Sequence, residues 1–270
     1  MTVLIVASRN DPASMNIATQ LRERRALART ERLGKSVEAY ERDNVILAYT
    51  DKEGIHNSDA DALIEADAII FASKHRSETG ERSLTVHTTG NPTNSALYGG
   101  RPKSLSWVDP RRMKSALLEL DASAKSHGYG GEVTFEATHH GPTELRVPVM
   151  FVEIGSTEGE WVNPENGAVV AEAIWKAATE PAEGRLAVGF GGGHYPKKHA
   201  GLTRHDGYAV GHILPKYFFN EFDPAIVTQA LEKTVGKCTT ALVDWKGMRG
   251  PDRTKLLAVL EERGVEVIRV

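Results

Sequence analysis

Short apolar, β-branched runs alternate with longer segments of helical periodicity, and this alternation limits the fold more than any other feature of the chain. The pattern predicts strands over residues 2–7, 45–49, 68–72, 84–88, 132–138, 149–154, 185–190, 239–243 and 265–270. It predicts helices over residues 16–33, 58–66, 110–127, 164–179, 224–235 and 251–263. Because strands that are apolar on both faces need helices to cover them, we expect a three-layer α/β/α sandwich. Several strands follow one another too closely for helical crossovers, so the sheet is predicted to be mixed.

Length, charge and cysteine content narrow the class of protein. The 270 residues are predicted to form one α/β domain over residues 1–270, with a soft subdivision near residues 180–184. The 33 basic and 36 acidic side chains exclude a generally basic nucleic-acid coat, although they allow a local basic face. Cys238 is the only cysteine, which excludes disulfides, cysteine-based zinc knuckles and iron–sulfur clusters. We expect a cytoplasmic protein without a membrane span, since no apolar run approaches the roughly 18–20 residues that a span needs.

Histidines are concentrated where the predicted strands end. Five of the ten lie at or just past the carboxyl end of an apolar strand: His75, His87, His139, His140 and His194. If most of these strands run parallel, their ends share one edge of the sheet, which is where open α/β sheets bind ligands. A single histidine placed in this way would be read as a loop residue, but five together indicate a site.

The placement of the histidines suggests a zinc site, because neutral imidazole is the commonest metal ligand in proteins. The candidate metal ligands are His75, His139, His194 and His199, with Glu78 and Glu136 as further ligands. The candidate catalytic residues are His87, Glu136, His140 and His194.

The segment that ends at Gly141-Pro142 sets a geometric condition on this site. Glu136 and His139 are an odd number of residues apart, so they face opposite sides of an extended strand. The two converge only if the strand bulges or ends before Gly141-Pro142. For the same reason one of His139 and His140 is expected to be a ligand and the other its hydrogen-bonding neighbour.

A glycine-rich segment over residues 189–199 is the sharpest local motif. The amides of Gly191, Gly192 and Gly193 are candidates for holding an anion, and Lys197 and Lys198 for holding phosphate. His194 and His199 are five residues apart and Pro196 lies between them, so the segment is predicted to be a loop. It matches neither the dinucleotide fingerprint nor the phosphate-binding loop that ends in Gly-Lys-Ser/Thr.

A second polar loop begins at His87. Thr88, Thr89 and Asn91 are predicted to form a hydroxyl-lined and amide-lined wall that binds substrate. The alternative is that Asn91-Pro92 only makes a turn.

Four of these loops resemble those of one family. The segments Ser73-Lys-His-Arg-Ser-Glu78, His87-Thr-Thr-Gly-Asn91, Glu136-Ala-Thr-His-His-Gly-Pro142 and Gly191-Gly-Gly-His-Tyr-Pro196 are similar to those of the archaeal and plant-type D-aminoacyl-tRNA deacylases. The resemblance spans essentially the full chain. It implies hydrolysis of the ester that joins a D-amino acid to the terminal ribose of tRNA, with zinc as cofactor and charged tRNA as partner. It also implies an α/β/α sandwich like that of phosphorylases and peptidyl-tRNA hydrolases. No membrane partner and no obligate protein partner are expected.

The residues alone are compatible with more than one mechanism and more than one class of protein. Water could be activated by a metal, by a side chain, or by the neighbouring ribose hydroxyl of the substrate. A metal-dependent amidohydrolase or peptidase on small substrates would need the same histidines but no face for a polynucleotide. A peptidyl-tRNA hydrolase-like enzyme and a non-catalytic module that binds RNA or nucleotides also fit the residues.

Overall fold

The computed structural model describes all 270 residues, as an α/β fold with fourteen strands. The strands are β1 Val3–Ser8, β2 Ala28–Thr30, β3 Ala39–Arg42, β4 Val45–Thr50, β5 Ala68–Lys74, β6 Ser83–His87, β7 Gly90–Asn91, β8 Ser104–Leu105, β9 Glu132–Phe135, β10 Val149–Gly155, β11 Arg185–Phe190, β12 Tyr208–Leu214, β13 Thr240–Val243 and β14 Glu266–Arg269. The helices are α1 Pro12–Arg24, α2 Pro110–Ser126, α3 Glu158–Trp161, α4 Pro164–Thr179, α5 Lys197–His205, α6 Pro224–Glu232 and α7 Gly250–Glu262. Short 3₁₀ turns cover Gly54–His56, Ala60–Ala62 and Lys216–Glu221.

A mixed sheet of eight strands forms the larger half, in the order β2-β3-β4-β1-β5-β10-β6-β9. Its central strands β4, β1, β5 and β10 are parallel to one another. β6 runs antiparallel to β10, and β9 runs parallel to β6. Helices α1, α2 and α4 pack on one face, while 3₁₀ turns and loops cover the other. The predicted fold class, with a mixed sheet and flanking helices, is confirmed.

A second sheet of four parallel strands, in the order β12-β11-β13-β14, forms the smaller half. The change from one sheet to the other falls at residues 180–184, where the sequence predicted a soft subdivision. An apolar cluster of 39 buried residues includes Ile5 of the larger sheet, Leu117 of α2 and Val210 of the smaller sheet. This shared core supports the single-domain organisation, which stays a prediction.

Four helices begin with the same pair of residue types, an aspartate or asparagine followed by proline. Asp11, Asp109, Asn163 and Asp223 each accept a hydrogen bond from a backbone amide of the first turn, and the next residue is a proline. The side chain satisfies an amide that the helix leaves free, and proline has the φ angle that the first turn requires.

Three predicted elements are wrong. The helix predicted over residues 16–33 runs from Pro12 to Arg24, because Asp11 caps it and Ala26 adopts a positive φ of 48°. The helix predicted over residues 58–66 is only the 3₁₀ turn Ala60–Ala62, and the cap residue Asp59 makes no side-chain cap. The irregular segment predicted after His194 contains helix α5 and strand β12, because Pro196 precedes the helix and so does not interrupt it. No helix is long and apolar enough to cross a lipid bilayer.

Candidate metal centre and catalytic site

Two buried carboxylates, those of Glu136 and Glu153, stand among five imidazoles beside β10. The structure brings together all the strand-end histidines, which are His75, His87, His139, His140 and His194. The carboxylate of Glu136 lies 2.7 Å from His194 Nε2, 3.1 Å from His75 Nδ1 and 3.5 Å from His139 Nε2. The carboxylate of Glu153 lies 3.6 Å from His75 Nδ1 and 3.7 Å from His87 Nε2.

The histidines converge on one face of the larger sheet, and the expectation of one shared sheet edge is wrong. β6 and β9 run opposite to β5 and β10, so their carboxyl ends point away from the edge at which β5 ends. Both strands are short, however, and His87 at the end of β6 pairs with Phe151, two residues before Glu153. His75 therefore approaches Glu153 from one direction along β10, and His87 approaches it from the other.

The strand ends before Glu136, which is the condition under which Glu136 and His139 were expected to converge. β9 ends at Phe135, so the odd separation of Glu136 and His139 does not keep them apart. His140 has a positive φ of 44°, and the rings of His139 and His140 lie 4.3 Å and 4.8 Å from the ring of His87. The left-handed backbone at His140 lets two consecutive imidazoles reach the same place, which an extended strand forbids.

Three of the imidazoles bring ring nitrogens close together. The Nδ1 atoms of His87, His139 and His140 lie 3.2, 2.8 and 2.7 Å from the backbone carbonyls of Thr88, Ala137 and Gly141. Since a carbonyl only accepts, Nδ1 carries a proton in each ring, and Nε2 is the nitrogen left for another partner. Ligand nitrogens from the three histidines lie within 4.8 Å of one another. Backbone carbonyls that fix the histidine tautomer in this way are typical of metal sites.

Glu136 is fully buried and its charge is held by the surrounding imidazoles. Burial alone would raise its pKa, but the close approach of His194 Nε2 and the nearby charges of His87, His139 and His75 hold the pKa well below its usual range. Neither carboxylate oxygen has a well-aligned hydrogen-bond partner. A buried carboxylate without hydrogen-bond partners destabilises the folded state by roughly several kcal/mol, unless a cation or a proton of a ligand lies against it.

The imidazoles fall into two electrostatic groups. Burial alone would lower the pKa of His75 and of His87, but the nearby carboxylates of Glu153 and Glu136 raise it above the usual value. Burial and the neighbouring imidazoles lower the pKa of His139 well below its usual value and that of His140 to about 3. His139 and His140 are therefore neutral at neutral pH, as metal ligands must be.

Two residues of the site, Glu153 and Tyr195, were not predicted from the sequence. Glu153 is the only charged residue in the apolar strand β10, and a lone carboxylate in a strand buried on both faces was the signal that could have found it. Tyr195 belongs to the glycine-rich motif, and its hydroxyl lies 2.6 Å from His75 Nε2. This contact occupies the nitrogen of His75 that points away from Glu136.

A cavity of about 540 Å³ opens onto the cluster. Its walls include His75, His139, His140, Glu153 and His194, so the reactive groups face a space large enough for an aminoacyl group.

The polar side chains after His87, which were predicted to bind substrate, bind backbone carbonyls of neighbouring loops instead. The hydroxyls of Thr88 and Thr89 donate to the carbonyls of Val149 and Pro142, at 2.8 Å and 2.6 Å. The side-chain amide of Asn91 donates to the carbonyls of Gly99 and Arg101. All three side chains are buried, so they hold neighbouring loops in place and do not present polar groups to the cavity.

The glycine-rich segment also serves to position its neighbours. Gly191 and Gly192 have positive φ angles of 89° and 80°, and the amide of Gly191 donates to the carbonyl of Leu214. This backbone carries the next residues, Gly193 and His194, towards Glu136. The amide of Gly191 is therefore not available as an anion ligand.

The charged residues that follow are already paired. Lys197 Nζ lies 2.9 Å from Glu132, and Lys198 Nζ lies 2.5 Å from Asp244. Neither lysine lines the cavity. Both lysines were predicted to bind phosphate, but each forms an ion pair with a carboxylate of a neighbouring segment instead.

Two predicted metal ligands lie away from the cluster. His199 is fully buried in α5 and its Nε2 donates to the carbonyl of Leu242 at 3.2 Å. Glu78 is exposed in the turn after β5 and belongs to none of the groups that could hold an ion. The helix that begins after Pro196 turns His199 inward, which the loop prediction did not allow.

A mixed α/β fold with carboxylates and imidazoles at the floor of a cavity defines an enzyme with acid–base groups and a candidate metal centre. The family model described as D-aminoacyl-tRNA deacylase matches residues 62–268 of the chain. The chain belongs to the D-aminoacyl-tRNA deacylase family, and the resemblance of the four loops is confirmed.

Individual relatives agree with the family assignment. The D-aminoacyl-tRNA deacylase of Methanosarcina acetivorans is 40% identical, over 99% of this chain and 92% of that protein. The D-aminoacyl-tRNA deacylase of Thermococcus kodakarensis is 39% identical, over 98% of this chain and 99% of that protein. The crystal structure of a conserved protein of unknown function, AF0625, superposes with a TM-score of 0.91 at 31% identity, covering 99% of this chain and 95% of that one.

Proposed function

We propose that this chain hydrolyses the ester between a D-amino acid and the terminal ribose of tRNA, in the cytoplasm, and so removes D-amino acids from translation. The observation that carries the proposal is the convergence of five imidazoles on Glu136 and Glu153, beside one cavity that Glu153 and four of these imidazoles line. Family membership supports an aminoacyl-tRNA ester as the substrate.

The residues of the cluster fit a zinc ion. Ring nitrogens of His87, His139 and His140 converge, and His87 Nε2 is a buried atom without a hydrogen-bond partner. His75, Glu136 and His194 form a second group whose ligand atoms lie equally close together. Imidazole with carboxylate is a donor set that zinc favours. When bound, zinc would polarise the ester carbonyl and lower the pKa of water to about 7.

The carboxylate of Glu136 acts as the base in the proposed reaction. It is kept ionised by its imidazole neighbours but does not line the cavity, so it takes the proton of the attacking water by way of His194, which lines the cavity and lies 2.7 Å away. The water oxygen then forms a bond to the ester carbonyl carbon. General-base catalysis of this kind contributes roughly 10²- to 10⁴-fold.

His194 supplies the proton for the leaving group. Its Nε2 lies 2.7 Å from Glu136, and 37% of its side chain is exposed, so it touches both the buried base and the cavity. As the bond between the carbonyl carbon and the ribose oxygen breaks, the ribose oxygen takes a proton from His194. Glu136 then passes the proton gained from water to His194, which restores both groups, and the products are a free D-amino acid and tRNA.

Tyr195 and Glu153 position His75. The tyrosine hydroxyl binds one ring nitrogen at 2.6 Å, and the Glu153 carboxylate lies 3.6 Å from the other. These contacts fix the ring plane of His75 at the wall of the cavity.

The direct test is turnover of D-tyrosyl-tRNA before and after dialysis against a strong chelator, followed by addition of zinc. The expected result is loss of turnover without metal and recovery with zinc, with no change in the circular dichroism spectrum. Full turnover by protein that is shown to be metal-free would overturn the zinc assignment. Absence of turnover on tRNA, combined with cleavage of small amides, would favour a metal-dependent amidohydrolase.

A further inference from the structure

The rim of the cavity carries an aromatic side chain that packs against no other ring. Tyr98 lines the cavity together with His139 and His140, and it is 67% exposed. The adjacent Leu97 is 82% exposed. A large apolar surface that the fold leaves open beside reactive groups is a candidate ligand contact.

The loop that carries Tyr98 is held tightly by close backbone contacts. The carbonyl of Tyr98 accepts a hydrogen bond of 3.0 Å from the amide of Gly141, next to His140. Gly99 has a positive φ of 78°, and a Cβ there would overlap the carbonyl oxygen of Ile55. A Cβ at Gly141 would overlap the backbone of Gly99 and Gly100. Only glycine fits these positions, so the backbone that carries Tyr98 is held beside the histidine cluster before any ligand arrives.

Side-chain contacts secure the same loop at both ends. Asn91 donates to the carbonyls of Gly99 and Arg101, at 2.8 Å and 3.3 Å. Further along, Asn94 Nδ2 donates to Glu221 at 2.6 Å. A rigid aromatic surface binds with less loss of conformational entropy than a mobile one.

Positive charge lines the cavity at the end of β5. Lys74 and Arg76 both line the cavity, and no carboxylate lies within ion-pair distance of either. Lys74 Nζ and the Arg76 guanidinium lie 6.0 Å and 5.5 Å from the ring of Trp161, whose Nε1 donates to the carbonyl of His75. The indole thus places two cations beside the backbone of a cluster histidine.

Three carboxylates also line the cavity, and none of them forms an ion pair with Lys74 or Arg76; that of Glu153 faces His75 and His87. Asp11 accepts hydrogen bonds from the amides of Ala13, Ser14 and Lys74, so its carboxylate is directed into the backbone. Glu53 is exposed next to the turn that packs on Gly99, on the side of the cavity that holds Tyr98.

We propose that this rim is the binding site for the terminal nucleotide of tRNA: the adenine base stacks on Tyr98, and Lys74 and Arg76 contact the phosphates that precede it. The inference rests on the proposed function. The scissile ester and the adenine are attached to the same ribose, so a base bound at the rim leaves the ester at the histidine cluster. Aromatic rings that stack on unpaired bases, with cations that follow the backbone, are the usual means of binding single-stranded nucleic acid.

The stacking part is tested with three esters of D-tyrosine, made with tRNA, with adenosine and with ethanol. For Tyr98→Ala, the preference for the adenosine ester over the ethyl ester, measured as a ratio of kcat/KM values, should fall roughly 5- to 100-fold. Tyr98→Phe keeps a ring of the same size and should keep the wild-type ratio. An unchanged ratio in Tyr98→Ala would overturn the adenine site.

The phosphate part is tested by the salt dependence of binding to uncharged tRNA. Lys74→Gln and Arg76→Gln should each reduce the slope of log K against log salt by about 0.7, the value for one phosphate of a single strand. Both variants should lose little activity on the adenosine ester, which has no phosphate, relative to their loss on tRNA. The control is Lys255→Gln, an exposed lysine of α7, which should keep the wild-type slope. Wild-type slopes in the Lys74 and Arg76 variants would contradict the phosphate contacts.

The two proposals fail in different ways. If the wild-type protein cleaves no ester on tRNA, the proposed function is wrong. If it cleaves D-tyrosyl-tRNA and the rim variants behave as wild type on all three esters, the hydrolase stands and the nucleotide site is wrong.

Discussion

His194 Nε2 lies 2.7 Å from Glu136 Oε2, although the two residues follow strands of different sheets. The same junction is joined by backbone hydrogen bonds from Ala137 to His194 and from Thr138 to Ile213, at 2.8 Å and 2.9 Å. The proposed base and the proposed proton donor therefore come together only when the larger and smaller sheets are packed against each other.

Replacement of Glu136 by glutamine should abolish most of the activity. Glu136→Gln keeps the shape of the side chain but removes the base, so turnover of D-tyrosyl-tRNA should fall roughly 10²- to 10⁴-fold. The measurement is kcat at saturating D-tyrosyl-tRNA, with metal content determined on the same samples. The matched control is Glu132→Gln, four residues earlier and partly exposed, where a modest effect is expected. Wild-type kcat in Glu136→Gln would rule out its role as base.

Two histidine substitutions should have unequal effects. His194→Ala removes a group that faces both Glu136 and the cavity, so its effect on turnover should approach that of Glu136→Gln. His127 ends α2, where its Nδ1 donates to the carbonyl of Ser123 at 2.9 Å, so His127→Ala should lower stability slightly and leave kcat intact. Equal and mild losses of kcat in the two variants, with folding unchanged, would count against the role of His194.

The free energy of unfolding should fall as the pH drops from 7 to 5. Burial lowers the pKa of His199 and of His212 to about 4, whereas in the unfolded chain a histidine titrates near 6.5, roughly its model value. As the pH falls, the histidines of the unfolded chain therefore bind protons before those of the folded chain. The contribution to stability is complete above the pKa of the unfolded chain and is lost as the pH falls towards the pKa of the folded chain. The expected loss is about 2 kcal/mol for each histidine between these two pH values.

Urea unfolding of the wild type and of His212→Gln, with chelator present, checks this pH dependence. The side chain of His212 donates to the carbonyl of Ser106, and glutamine can replace that donor without titrating. The variant should lose about 2 kcal/mol less than the wild type over the same pH range. Equal losses in both proteins would mean that His212 does not carry the effect.

Local chemistry allowed most helices and strands to be predicted. Asp109-Pro110 and Gly128 bound α2, and the apolar period fills its core face with Met113 and Leu117. The helix over Pro164–Thr179 and the strand over Arg185–Phe190 have the predicted bounds. These elements are determined by their own residues, so the sequence alone was sufficient.

The rest of the site depends on contacts between distant segments. The direction of β6 relative to β10 follows from sheet pairing, and no residue of His87-Thr88-Thr89 encodes it. The positive φ of His140 and the pairing of Lys198 with Asp244 likewise depend on neighbours far along the chain. The histidines were therefore found by their position at strand ends, whereas their partners and tautomers required the structure.

Discrimination between the two enantiomers of the amino acid is the central claim of the proposed function. D- and L-aminoacyl esters carry the same functional groups, so a site separates them only by where the α-amino group and side chain point once the carbonyl is fixed. A site that rejects one enantiomer by clash or by leaving polar groups unpaired reaches ratios of about 10⁴. Side chains that project outward from the cavity should be tolerated widely, and glycine should be rejected less strongly than L-amino acids.

Single-turnover hydrolysis of D-Tyr, L-Tyr, D-Ala and Gly esters on one tRNA tests this claim most directly. The account predicts fast hydrolysis of both D esters, intermediate hydrolysis of the glycyl ester, and an L-Tyr rate lower than the D-Tyr rate by about 10⁴-fold. Comparable rates for D-Tyr and L-Tyr would contradict it and would favour a general esterase or a peptidyl-tRNA hydrolase-like enzyme.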